Sequence, residues 1–100
     1  MEINNKTNLV GFNVGVLGDC IVDTTTGTKT PVTPTGHVMI NGQKTIIKGD
    51  TYPAHLTHTA GKMEDGSLLY FEGIDGICYT GCKAECGCIL QGTGFMTVSI

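Results

Sequence analysis

The sequence predicts an all-β fold, a small cone of three short β-hairpins related by a pseudo-threefold axis. Three observations lead there. A strand, turn and strand pattern returns about every 31 residues, the two chain ends carry complementary halves of it, and the composition suits tight turns.

The repeat is read from two sets of segments. Val38-Met39-Ile40-Asn41-Gly42 and Leu69-Tyr70-Phe71-Glu72-Gly73 are apolar stretches that end in a polar residue and a glycine. Val16-Leu17-Gly18-Asp19, Ile47-Lys48-Gly49-Asp50 and Tyr79-Thr80-Gly81-Cys82 follow the same register, with glycines 31 and then 32 positions apart. Asn41-Gly42 suits a two-residue hairpin turn because both residues tolerate positive φ. Asp75-Gly76 repeats that turn chemistry within a longer turn. Thr45-Ile46-Ile47 is the expected return strand of the central unit.

The segment Phe12 to Asp19 reads as a return strand without its outgoing partner. Phe95 to Ile100 reads as an outgoing strand without its return. Pairing these N- and C-terminal strands closes the third hairpin and leaves no open edge. Three loops, 20–36, 51–67 and 83–94, leave after the same glycine and are expected on one side. Phe12, Phe71 and Phe95 are expected to pack about the axis, and Met39, Met63 and Met96 to fill the core. The Asp of each Gly-Asp is expected to accept backbone N–H bonds in a turn.

Composition supports a single folded domain over residues 1–100, with 1–10 as a flexible or docking segment. Hydrophobic residues make up 40% and charged residues 15%, below the usual quarter, while the 15 glycines are about twice the ordinary share. A net charge of −3 with six scattered Lys and Arg provides no basic stripe, which argues against nucleic acid as a partner. No stretch is apolar enough to span a bilayer. The start, Met1-Glu2-Ile3-Asn4-Asn5-Lys6, lacks a charged segment leading into an apolar one, so the expectation is synthesis in the cytoplasm without a signal peptide. Lys44, Lys48, Lys62 and Lys83 read as solvated charges.

Five cysteines and three histidines stand out in so small a chain. An odd cysteine count without a secretory signal fits a disulfide framework poorly, so metal binding is the leading expectation. The run Cys78-x3-Cys82-x3-Cys86-x-Cys88 also admits an oxidised reading, with one or two disulfides outside the cell.

Three stretches resemble PAAR-repeat proteins, which tip the spikes of type VI secretion systems and contractile phage tails. They are Val16 to Asp19, Thr35-Gly36-His37-Val38-Met39-Ile40-Asn41-Gly42 through Ile47 to Asp50, and Cys86-Gly87-Cys88-Ile89-Leu90-Gln91-Gly92-Thr93-Gly94-Phe95. The likeness runs from about Val14 to Ile100. It departs from the family where Pro-Ala-Ala-Arg gives way to Thr45-Ile46-Ile47-Lys48. A first-loop histidine is replaced by a threonine run, and the third Gly-Asp becomes Gly81-Cys82.

The resemblance implies a structural spike-tip protein, not an enzyme, that caps the blunt end of a trimeric β-helical membrane-piercing spike, one cap per trimer. It would meet the target membrane during penetration and reside at a virion tail tip or leave with an injection apparatus. It further implies a metal near the vertex, zinc first and iron as the alternative. Imidazole and thiolate together favour zinc, and four such ligands close a tetrahedral structural site. The expected ligands are His55, His58, Cys82 and Cys86, with Cys20, Cys78 or Cys88 as alternatives to Cys82. His37, at the head of a strand, is left out. The rival readings are a zinc-ribbon-like interaction module and a small metal-dependent hydrolase. The first calls for two ligand knuckles and a basic surface, the second for an open coordination position. No side chain here has the base and orienting group of a nucleophilic site.

Overall fold

A computed structural model describes residues 2–3, 12–67, 71–94 and 97–98. They are all-β, with no helix among them. In chain order the strands are β1 (Glu2–Ile3), β2 (Phe12–Asn13), β3 (Cys20–Val22), β4 (Lys29–Pro31), β5 (Met39–Ile40) and β6 (Gln43–Lys44). There follow β7 (Thr51–Tyr52), β8 (Gly61–Lys62), β9 (Phe71–Glu72), β10 (Asp75–Gly76), β11 (Ile89–Gln91) and β12 (Thr97–Val98).

The repeat becomes a closed ring of backbone hydrogen bonds. Ile46 N–H donates to the Gly15 carbonyl (2.9 Å), Cys78 N–H to Ile46 (2.8 Å), and Gly15 N–H to Cys78 (2.9 Å). A second ring runs beside it, from Leu17 N–H to the Lys44 carbonyl, Lys48 to Gly76 and Thr80 to Asn13. Donors and acceptors alike step by 31 and 32 residues, which is the sequence period expressed as symmetry. The two ends of the chain meet as expected. β12 pairs antiparallel with β2, Thr97 opposite Asn13 and Val98 opposite Phe12, and this makes the third hairpin beside β5–β6 and β9–β10. β1 adds parallel to β5.

Local chemistry explains the turns. Asn41 and Gly42 have φ of 51° and 76°, as a two-residue hairpin between β5 and β6 requires. The second hairpin differs from expectation. Its left-handed glycine is Gly73 (φ 64°), 31 residues after Gly42, so Asp75-Gly76 forms the returning strand β10 and not the turn. Gly76 is needed there because the backbones of Gly66 and Ser67 press against its Cα. The glycines that end the ring strands, Gly18, Gly49 and Gly81, share φ of 94°, 92° and 102°.

The three loops are more structured than the sequence suggested. They fold into small hairpins, β3–β4, β7–β8 and a bridge between Lys83 and Ile89. These join edge to edge around the axis, through Thr33 N–H to Thr51, Glu64 N–H to Lys83, and β3 to β11. Threefold placement of their common starting turn therefore brings all three to one side.

Because successive side chains of a strand face opposite ways, the ring divides the interior in two. On the side of the β2–β12, β5–β6 and β9–β10 hairpins, Val14, Val16, Ile40 and Ile77 form one buried cluster. On the loop side the buried residues fall into threefold sets: Ile46 and Cys78 opposite Gly15, then Ile21, Tyr52 and Ala84, then Val32, Met63 and Leu90. Sizes compensate within a set. A Cβ on Gly15 would come 2.7 Å from Leu90 Cδ2 and 3.2 Å from Ile46 Cδ1, so glycine there is what lets Ile46 occupy the axis. The side chains of Phe12, Phe71, Phe95 and Met96 lie outside the described residues. Met63 is fully buried, and Lys44, Lys48, Lys62 and Lys83 are exposed.

Candidate metal centre

The turn that launches each loop is built by one side chain. Asp19 accepts from Val16 N–H (2.8 Å), and Asp50 accepts from Ile47 N–H (2.8 Å). Each carboxylate also holds the threonine that begins another segment of the ring: Asp19 binds the N–H and hydroxyl of Thr93 (2.9 and 2.6 Å), and Asp50 binds those of Thr35. In the third turn Cys82 occupies this place, and its sulfur accepts from Tyr79 N–H at 3.4 Å. The threonine is exchanged too, since Gly66 stands where the others have Thr35 and Thr93. Cys82 is thus buried at the ring beside Cys78, whose thiol donates to the Asp65 carbonyl at 3.2 Å. The neighbouring Cys82 sulfur, then burial, pushes the Cys78 thiol far above the usual thiol range.

The loop ends bring a different set together. A two-residue turn with reciprocal His55–His58 backbone bonds (3.1 and 2.8 Å) presents both imidazoles from the β7–β8 loop. Leu56 in that turn takes φ 51°, an uncommon conformation for a leucine, and is 55% exposed. In the third loop, Gly87 at φ 91° lets the chain reverse so that Cys86 and Cys88 point the same way. His55 Nε2 lies 3.8 Å from Cys86 Sγ and 3.6 Å from Cys88 Sγ. His55 Nδ1 lies 3.0 Å from the Pro53 carbonyl, which can only accept, so Nδ1 carries the proton and the Nε2 lone pair faces the two sulfurs. His58 Nε2 instead donates to Asp23 Oδ2 at 3.1 Å.

His55, Cys86 and Cys88 form one group whose ligand atoms all lie within 4.8 Å of one another, and Asp23, His58 and Cys88 form another. Such groups could hold a metal ion. With metal–sulfur and metal–nitrogen bonds of the usual lengths, a tetrahedral ion sets its nitrogen and sulfur ligands about 3.6 Å apart. The two nitrogen–sulfur distances of the first group lie close to that spacing.

Tyr52 braces the first group from beneath. Its ring is 3% exposed and stands edge-on to the His55 ring, centroids 5.5 Å apart. Its hydroxyl accepts from Cys86 N–H at 3.1 Å. A Cβ on Gly61 would lie 2.5 Å from that hydroxyl, so a glycine is needed opposite. Burial, then the adjacent Cys86 sulfur, pushes Tyr52 up to about 12. Burial pushes Cys86 up, but the Tyr52 hydroxyl and then contacts from Cys88 outweigh it and leave the thiol below its usual value. Cys88 goes the other way, to about 11, through burial and then the pull of Cys86. The His58 ring, then Thr26 and Thr25 N–H, hold Asp23 below the ordinary carboxylate range.

Of the residues brought forward from the sequence, His55 and Cys86 meet directly, His58 stands beside them facing Asp23, and Cys82 lies at the ring in a turn. Cys20 sits in β3 with its thiol near the Gly18 carbonyl (3.7 Å). Cys88 takes a central place, though the sequence offered it only as one of the alternatives to Cys82. Asp23 was not singled out at all. The replacement of the third Gly-Asp by Gly81-Cys82 was the signal that Cys82 belongs to the turn series. No family model matches the sequence, and no curated protein matches it.

Proposed function

We propose that this protein is a spike-tip cap of the PAAR-repeat kind, seated on the blunt end of a trimeric β-helical spike and stapled by a structural zinc ion. The observation that carries this reading is the ring through Gly15, Ile46 and Cys78, with β2 and β12 joined. One chain thereby offers three similar hairpins to a threefold platform, and a single copy suffices per spike. The sequence resemblance points the same way. Zinc is chosen because the donor set is imidazole plus thiolate, with His55, Cys86 and Cys88 as ligands. The ion would join the second loop to the third, so that opening either costs metal–ligand bonds. A tip driven into a membrane benefits from such resistance to local unfolding. The cap would travel outward as part of its particle.

The test is co-expression with a trimeric β-helical spike protein, followed by native mass spectrometry of the purified complex. One cap per three spike chains is expected. A one-to-one ratio, or no complex with any such spike, would remove the cap reading. Metal content of the purified chain tests the zinc separately.

A further inference from the structure

We propose that the chain holds a second divalent transition-metal ion, bound by Asp23, His58 and Cys88, with the Cys88 thiolate shared between this ion and the one at His55, Cys86 and Cys88. This rests on the metal reading above, and adds a position to it.

The argument starts from distances. A single four-coordinate ion of this class needs its ligand atoms within about 4 Å of one another. The five candidate residues divide instead into two groups of three, with only Cys88 common to both. His58 Nε2 and Asp23 Oδ2 are already 3.1 Å apart, close to the spacing of nitrogen and oxygen ligands on one ion. The second group also has room. A cavity of about 140 Å³ is lined by Asp23, Thr24, Thr25, His58, Cys86 and Cys88. That volume accommodates an ion with one or more waters completing its shell, as three-ligand sites require.

Charge permits the pair. Asp23 and the two thiolates bring three negative charges against four positive ones, and a bridging sulfur lies between the two ions where their repulsion is greatest. Binding is a simple exchange. The Cys88 thiol releases its proton to solvent as its sulfur becomes the bridging thiolate. His58 gives up its Nε2 proton and takes one at Nδ1 so that the Nε2 lone pair passes to the metal, and no redox step is involved. The second ion also completes the staple. The first joins only the second and third loops, whereas Asp23 belongs to the first loop, at the head of the Thr24-Thr25-Thr26 turn. With both ions bound, all three loops are crosslinked.

The test is titration of the metal-free chain with Zn²⁺, and in parallel with Co²⁺, with stoichiometry read by native mass spectrometry. Two ions per wild-type chain are expected after dialysis at micromolar metal. Asp23→Ala and the gentler Asp23→Asn should each bind one, and keep the cobalt–thiolate absorption band of the first position. Circular dichroism of the metal-free variants confirms that they fold. A wild-type chain saturating at one ion, or an Asp23→Ala chain that still takes two, overturns the second position and leaves the first intact. A chain that takes none overturns both.

Discussion

The three turns that launch the loops allow one molecule to serve as its own control. Asp19, Asp50 and Cys82 occupy equivalent positions, yet their bonding differs. Replacing Asp19 with alanine removes three hydrogen bonds, to Val16 N–H, Thr93 N–H and the Thr93 hydroxyl. Val16 is fully buried, so its N–H is left without a partner at about 1–3 kcal/mol. Thr93 is exposed and water can replace part of its loss. The sum is about 3–4 kcal/mol, a large share of the total stability of a domain this size. Asp50→Ala loses the equivalent bonds to Ile47 and Thr35, but Ile47 is only half-buried, so its cost falls at or somewhat below that figure. Cys82→Ala removes one long contact and a buried sulfur, about 1–2 kcal/mol. Urea denaturation with chelator present, followed by circular dichroism, measures all three without metal masking the result. The expected order of loss is Asp19→Ala, then Asp50→Ala, then Cys82→Ala. An Asp19→Ala protein within about 0.5 kcal/mol of wild type, or a Cys82→Ala protein hurt as badly, would show that these carboxylates do not pin the ring.

Other perturbations address the site and its support. Tyr52→Phe leaves Cys86 N–H without its acceptor, and stopped-flow chelator competition should show metal leaving roughly 10-fold faster; an unchanged rate would count against the brace. Gly61→Ala drives a methyl against the Tyr52 hydroxyl and should cost about 1–3 kcal/mol, with a smaller penalty in the Tyr52→Phe background; equal penalties in both would mean that the strain is relieved elsewhere. High pH should weaken the metal-free protein. Cys78 keeps its proton in the folded state, whereas the unfolded thiol ionises near its ordinary value of about 8.5, so stability present below that pH is lost above it. The limiting slope is about 1.4 kcal/mol per pH unit for one proton, and denaturation between pH 8 and 10 should show it reduced in Cys78→Ala.

What residue order alone determined is the architecture. The spacing of Gly18, Gly49 and Gly81 recurs because each glycine must adopt the same left-handed turn. Incomplete units at the two ends implied their pairing, since an unjoined strand edge is costly to leave open. Local conformational demands of this kind are written into individual residue types. Membership of the metal centre was legible only in part. His55 and Cys86 stood out through their spacing and resemblance, but the choice among cysteines depended on which way each side chain faces. Cys82 and Cys88 are six residues apart, on opposite sides of a short hairpin, and only the closed ring assigns one to a turn and the other to the loop ends. Asp23 was invisible for a related reason. One carboxylate among nine acidic residues acquires meaning only when folding brings it to His58, 35 positions later in the chain. Turn chemistry acts between neighbours and can be read along the chain, whereas a ligand set depends on distances that exist only after three loops have packed together.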